Sequence, residues 1–267
     1  METAISVTQT ADQPDKNDVV LHALLDMGQA LLTSGAEVHR VEDTLTRVAQ
    51  AYGAKSANIF VITSAVIVTL RFPNGRETTL TRRILSAGDT DFHKVEQLNA
   101  LSRECNHGKI TPDELQKRVQ QIIQAPSRRW QLYFGSVFAS GCFAVFFGGT
   151  LFDGLAAAFF SVLICLMMEY LAPISLNKVT FYFFSALLTG CLIFLSTMLL
   201  PVLHLDKIII GDIMLMIPGI SLTNSVRDML LGDTLSGTMR LVESLLWAGA
   251  QAAGFLSAIW LMRFLFV

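Results

Sequence analysis

The chain has 267 residues, 52% of them hydrophobic and 16% charged, with a formal net charge of -2. That length allows one or two domains. The near-neutral balance, without a basic stripe or block, excludes a nucleic-acid partner held by charge. The averages conceal a break near Arg128-Arg129-Trp130. Residues 131–267 hold five Lys/Arg and seven Asp/Glu, against fifteen of each in residues 1–130. A water-soluble unit at 19–130 is therefore expected ahead of a polytopic membrane unit at 131–267.

Residues 1–18 are polar and acidic, without the basic start and apolar stretch of a signal peptide, and read as a disordered tail. Cys105, Cys142, Cys165 and Cys191 form no C-x-x-C pair and read as free, small core hydrophobes.

From Val19 to Leu32 the apolar residues recur at helical spacing, and again from Ala36 to Tyr52. Two helices, or one helix broken near Gly35, fit equally well. Three β-branched segments follow, at 59–62, 66–70 and 77–81, with Pro73-Asn74-Gly75 turning the last two into a hairpin. Helical spacing returns from Gly88-Asp89 to Glu104. Thr111-Pro112-Asp113-Glu114 then opens a short helix to Ile123, with Thr as cap and Pro in the first helical position. The expected class is an α+β domain, helices plus a small antiparallel sheet, fused to an all-α membrane domain.

Within the first half, Glu37, His39, Arg40, Glu42 and Asp43 form a dense polar cluster. On a helix His39 and Asp43 share a face, as do Glu37 and Arg40. One reading is a carboxylate–histidine site acting as general base or metal ligand. The other is a solvated face with intrahelical ion pairs. No P-loop, G-x-G-x-x-G, G-x-S-x-G or H-E-x-x-H motif accompanies it.

The second half contains apolar runs at 132–150, 155–172, 179–200, 208–226 and 241–267, about five crossings of about 20 residues each. Placing the first half in the cytoplasm puts Arg128, Arg129, Lys178, Arg227 and Arg240 on inside flanks, against Lys207 and Arg263 outside. That agrees with the positive-inside rule. Charges at membrane depth cost about 2.5–3.5 kcal/mol on insertion scales and need a reason. Asp153 and Glu169 lie near run ends, where an interfacial position explains them. Asp212 lies inside the fourth run. Pro218-Gly219 interrupts that run, and a broken helix at this depth must line protein or a water-filled cavity. Asn224, Arg227 and Asp228 follow at helical spacings that give them one face. Arg227 suits a carboxylate substrate, and Asp228 or Asp212 a proton. The alternative is a helix end with Arg227 and Asp228 at the interface.

Two sets of residues carry a resemblance. Leu31-Leu32-x-x-Gly35-Ala36-Glu37-x-x-Arg40-Val41-Glu42-Asp43, followed by the three strands, resembles the amino-terminal part of the threonine/serine exporter family. Pro218-Gly219-Ile220-x-Leu222-x-Asn224-x-x-Arg227-Asp228, with Gly232-Asp233 and Gly237-x-x-Arg240, is similar to that family's membrane signature. Full-length members carry about twice as many spans, so the chain resembles the larger subunit of the split form. The resemblance implies a small membrane-protein partner and a proton-driven exporter of threonine and serine, or of dicarboxylates such as succinate. It also implies roles for Glu37, Arg40, Glu42, Asp43, Asn224, Arg227 and Asp228.

The reading is a transporter subunit in the inner (plasma) membrane, multi-pass, with its amino-terminal domain cytoplasmic. Pro218, Gly219, Asn224 and Arg227 would form the substrate site, and Asp212 and Asp228 would couple protons. The expected partners are a small carboxylate-bearing substrate, the lipid bilayer, the second subunit and, as an option, further copies of the chain. No cofactor or metal is expected. Two rivals remain: an integral-membrane hydrolase using the Glu37–Asp43 helix, and a membrane-anchored sensor.

Overall fold

The computed structural model describes residues 16–85, 88, 90–108, 110–126, 129–175 and 177–266. It is mostly helical, with a small three-stranded antiparallel sheet. The chain divides into two compact units. One comprises residues up to Pro126 together with Arg227–Ser236; the other comprises Ser127–Val226 and Gly237–Val267.

The first unit begins with α1 (Lys16–Thr33) and α2 (Val38–Ala51). Lys16, Asn17 and Asp18 are therefore helical rather than part of a tail, whose first fifteen residues lie outside the described ones. Of the two readings near Gly35, the structure has two helices. Gly35 takes φ +91°. It lets its own N–H reach Leu32 O (3.1 Å) and the Ala36 N–H reach Leu31 O (3.0 Å), so the last carbonyls of α1 are satisfied.

Strands β1 (Ser56–Ile62), β2 (Ala65–Arg71) and β3 (Glu77–Arg83) pair antiparallel in that order, with Ile59 opposite Val68 and Val68 opposite Leu80. In β2 every second residue, Val66, Val68 and Leu70, is buried. That alternation marks a sheet with one covered face. Gly28 of α1 lies against Leu45 of α2 and Val66 of β2, so helix layer and sheet meet there. Helix α3 (Phe92–Asn106) starts later than the spacing alone predicts, because Asp91 caps it by accepting from Lys94 N at 3.1 Å. Helix α4 (Pro112–Gln124) opens as predicted, with Thr111 accepting from Glu114 N. Leu24, Leu45, Val68, Leu98, Leu101 and Leu115 belong to one fully buried core. Each such side chain contributes about 1.5–3 kcal/mol by leaving water.

The second unit contains α5 (Arg129–Phe146), α6 (Leu151–Tyr170), α7 (Lys178–Leu199), α8 (Leu205–Met216), α9 (Gly219–Leu230) up to Val226, and α10 (Thr234–Phe266) from Gly237 onward. Among the described residues three helices, α6, α7 and α10, are long and apolar enough to cross a membrane; the apolar stretch of α5, Trp130–Phe146, is shorter. The fourth apolar run is split between α8 and α9. Ile217 is extended (φ -61°, ψ 128°), as a residue before proline must be. At α10's start the helix reaches further back than its apolar run. Its 33 residues make about 50 Å, well beyond an apolar core of about 30 Å.

Asp153, fully buried, holds the start of α6. It shares a capping box with Thr150 and accepts from the His204 backbone N–H (2.7 Å) and ring Nδ1 (3.0 Å). Its role is to tie the α6 start to the turn before α8. Glu169 accepts from the Tyr133 hydroxyl at 2.7 Å, joining α6 to α5.

Candidate functional site

The first unit contains residues from both sequence motifs. Glu37 is the residue before α2, extended at φ -72°, ψ 144°, and its side chain is turned inward. Arg227 donates to its Oε1 at 2.9 Å across 190 positions of sequence. Glu37 is buried while Arg227 is exposed. The other carboxylate oxygen of Glu37, Oε2, is buried without a hydrogen-bond partner. The next residue, Asp228, is fully buried, and its Oδ1 accepts from the Val38 N–H at 3.3 Å. Val38 is the first helical residue of α2. Asp228 thus places a negative charge on a helix start whose N–H groups need acceptors, a favourable arrangement for both.

The chain then turns sharply. Gly232 has φ +100°, its N–H reaches Met229 O (3.2 Å), and the Asp233 N–H reaches Asp228 O (2.9 Å). This closes α9 by the same motif that closes α1. It also brings Asp233 close enough to Glu42 for its charge to be felt. Glu42 accepts from Val61 N at 2.9 Å and so holds β1 to α2. Burial pushes the Glu42 carboxyl above its ordinary value of 4.5, and the Asp233 charge adds to the rise. The Val61 N–H and His39 oppose it.

The dense cluster read from sequence is therefore dispersed. Glu37 and Glu42 point to different partners, while His39 and Arg40 are exposed. Asp43 is also exposed and pairs with Arg47, one turn on, rather than with His39. Among the described residues no group of three or more His, Cys, Asp or Glu is placed to hold a metal. A second charged network, not anticipated from the sequence, involves Asp26 on α1. Arg82 pairs with it at 2.9 Å, and Gln116 and Gln120 donate at 2.8 and 2.7 Å. It ties α1, β3 and α4 together.

In the second unit, Asp212 of α8 is fully buried. Ser140 of α5 donates to its Oδ1 at 2.7 Å, and Oδ2 has no hydrogen-bond partner. Gly211 makes the approach possible, since a Cβ there would sit 2.7 Å from Ser140 O. Gln251 of α10 donates to Ile213 O at 3.1 Å, one residue beyond Asp212. Asn224, half-buried, lies on the α9 stretch that belongs to this unit. Pro218 and Gly219 form the break itself. Of the groups in this unit, sequence reading found Asp212 and missed Ser140 and Gln251. Gln251 was detectable, as an amide inside an apolar run.

The family model described as "Putative threonine/serine exporter" matches residues 22–262. The chain belongs to the threonine/serine exporter family. Similar members include the "Probable succinate transporter subunit YjjP" of Escherichia coli, 25% identical over 94% of this chain and 98% of that protein. The protein of the same description from Klebsiella aerogenes is 24% identical over 92% of this chain and 96% of its own length. The "Threonine/serine exporter" of Corynebacterium glutamicum is 22% identical over 88% of this chain, which spans 50% of that longer protein. No solved structure matches. Family and apolar helices together make this a membrane transport protein, and its relatives are named as transporters and exporters rather than enzymes.

Proposed function

We propose that the chain is one subunit of a proton-coupled exporter of small amino acids or carboxylates, of the threonine/serine or succinate kind. It works in the plasma membrane with a second, small membrane subunit. The observation that carries this reading is Asp212, a fully buried carboxylate among apolar helices, close in sequence to a helix break. A buried carboxylate is costly unless paired or neutralised, and a proton or a cationic group of the substrate serves that need in turn. The word "subunit" in the names of the two relatives whose length this chain nearly spans supports a partner. In this reading the chain crosses the membrane about five times, with residues 19–130 as a cytoplasmic domain. The broken fourth span supports assembly with another subunit or copy, because such interrupted helices commonly come in pairs.

Within the exporter, Arg227 binds the substrate carboxylate, and Asn224, Pro218 and Gly219 are the other residues assigned to substrate. The arginine already holds the Glu37 carboxylate. Glu37 thus stands where a substrate carboxylate would bind, and the two compete for one guanidinium. Asp212 carries the proton. Asp228 has one oxygen engaged by the start of α2 and is the second candidate for that task. Arg40, Glu42 and Asp43 shape the surface around Glu37.

The test is efflux from cells lacking background exporters and preloaded with threonine, serine or succinate. The chain is expressed alone and with a candidate small membrane protein. Efflux with the partner and not without it supports a two-component exporter and names its substrate. No efflux in either case, with both proteins in the membrane, refutes the reading.

A further inference from the structure

Asp212 does not stand alone at its depth. Met216 of α8 shares a buried cluster with Phe181 of α7, and Ile208 and Ile209 share another with Ile193. The two helices therefore run antiparallel, and Asp212 falls at the level of Ser185 to Thr189 on α7. Tyr182 stacks on Trp247 at 6.1 Å between ring centroids, and a Cβ at Gly190 would lie 2.8 Å from that of Ala258. Helices α7 and α10 thus run parallel, with Gln251 near the level of Ser185. Its bond to Ile213 O places it at the residue after Asp212 on α8.

The atoms of this layer share one property. Asp212 Oδ2, Ser185 Oγ, Thr189 Oγ1 and Gln251 Oε1 are all buried without a hydrogen-bond partner. Ser244 Oγ, two turns before Gln251 on the same face of α10, is in the same condition. Buried polar atoms are nearly always satisfied, and a group of them left open needs an explanation. The set is rich in acceptors and has a single acid. Basic side chains described in this unit stand toward helix ends. Lys178 is the first residue of α7 and lies over Trp247, Lys207 pairs with Asp206 in the first turn of α8, and Arg240 and Arg263 lie 11 and 12 residues from Gln251. A carboxylate solute would meet an acid and no base here, whereas an ammonium group would meet a carboxylate and neutral oxygens.

We propose that Asp212, Ser185, Thr189 and Gln251 form a mid-depth site that binds a small solute through its ammonium group, with the neutral oxygens accepting its remaining donors. The proposal rests on the exporter reading and deepens it. An amino-acid substrate meets this layer through its ammonium; a dicarboxylate offers it nothing to bind.

The experiment is equilibrium binding to the purified full chain in nanodiscs. The probes are ethanolamine, with ammonium and hydroxyl but no carboxylate, and succinate, with carboxylates but no ammonium. Ethanolamine is expected to bind the wild type. Asp212→Asn is expected to weaken it by about tenfold or more, the usual weight of a charge-assisted bond, and Gln251→Leu by a smaller factor. Excess succinate is expected not to displace ethanolamine from the wild type. Absence of ethanolamine binding to the wild type overturns the proposal, as does binding unchanged in both Asp212→Asn and Gln251→Leu. Sodium chloride displacing ethanolamine at equal concentration also overturns it, by making the layer an inorganic cation site. None of these results touches the exporter reading, which stands or falls on efflux. Thermal unfolding of each variant separates loss of binding from loss of fold.

Discussion

Asp228 and Asp212 are both fully buried carboxylates, and the two units of the molecule treat them differently. Asp228 sits against the start of α2, with Val38 N–H on one oxygen and, one residue before it, Arg227 holding Glu37. Asp212 receives one serine hydroxyl among apolar helices. The first has a helix start and a neighbouring ion pair around it; the second has a neutral hydroxyl among apolar side chains. In the exporter reading proposed above, this difference favours Asp212 over Asp228 as the group that meets a proton or a cation.

The largest expected effect that bears on this comparison comes from Arg227. Arg227→Ala should abolish export while leaving membrane insertion intact, as followed by efflux and by membrane fractionation. Export at the wild-type rate would remove Arg227 from the substrate site and leave it a structural partner of Glu37. Next is Asp228→Ala, which strips the acceptor from a buried helix start. It should cost about 1–3 kcal/mol and lower the Tm by several degrees, at about 2–4 °C per kcal/mol for a chain of this order. An unchanged Tm would mean that Asp228 is not the cap of α2. Asp212→Leu should do the opposite. Export is lost, yet the Tm stays or rises, because an apolar side chain replaces an incompletely paired buried charge. A steep fall in Tm would show that Asp212 holds the bundle together.

The smallest effect concerns Glu42, whose folded carboxyl titrates above 4.5 because of burial and Asp233. A raised carboxyl contributes its full stability below the unfolded value and loses it as pH rises through the folded one. Glu42→Gln removes that loss while keeping an oxygen for Val61 N–H. The Tm difference, variant minus wild type, should therefore grow more positive from pH 4 to pH 7. A difference independent of pH would mean that Glu42 is not destabilised by its surroundings.

Much of the fold follows from local pattern. The three strands, the Thr111 cap, the break at Pro218 and the helix end at Gly35 depend on residues within one turn of each other, so their physics is written in adjacent letters. Boundaries that rest on a single side chain were less legible. Asp91 rather than the Gly88-Asp89 region starts α3, and Asp89 itself lies outside the described residues. The sequence also marked Glu37 and Arg227 separately, each as part of its own motif.

What the sequence alone determined is the class of molecule: a charged α+β part, an apolar helical part, a broken helix and an acid within an apolar run. These are consequences of composition and period, which need no knowledge of distant neighbours. Tertiary structure alone decided partnership. It joined Glu37 to Arg227 and Asp228 to Val38 across 190 residues, placed Arg227–Ser236 with the first unit rather than the second, and set Ser185, Thr189 and Gln251 at the depth of Asp212. Such contacts arise from packing whole helices against one another, and no spacing along the chain encodes which faces will meet.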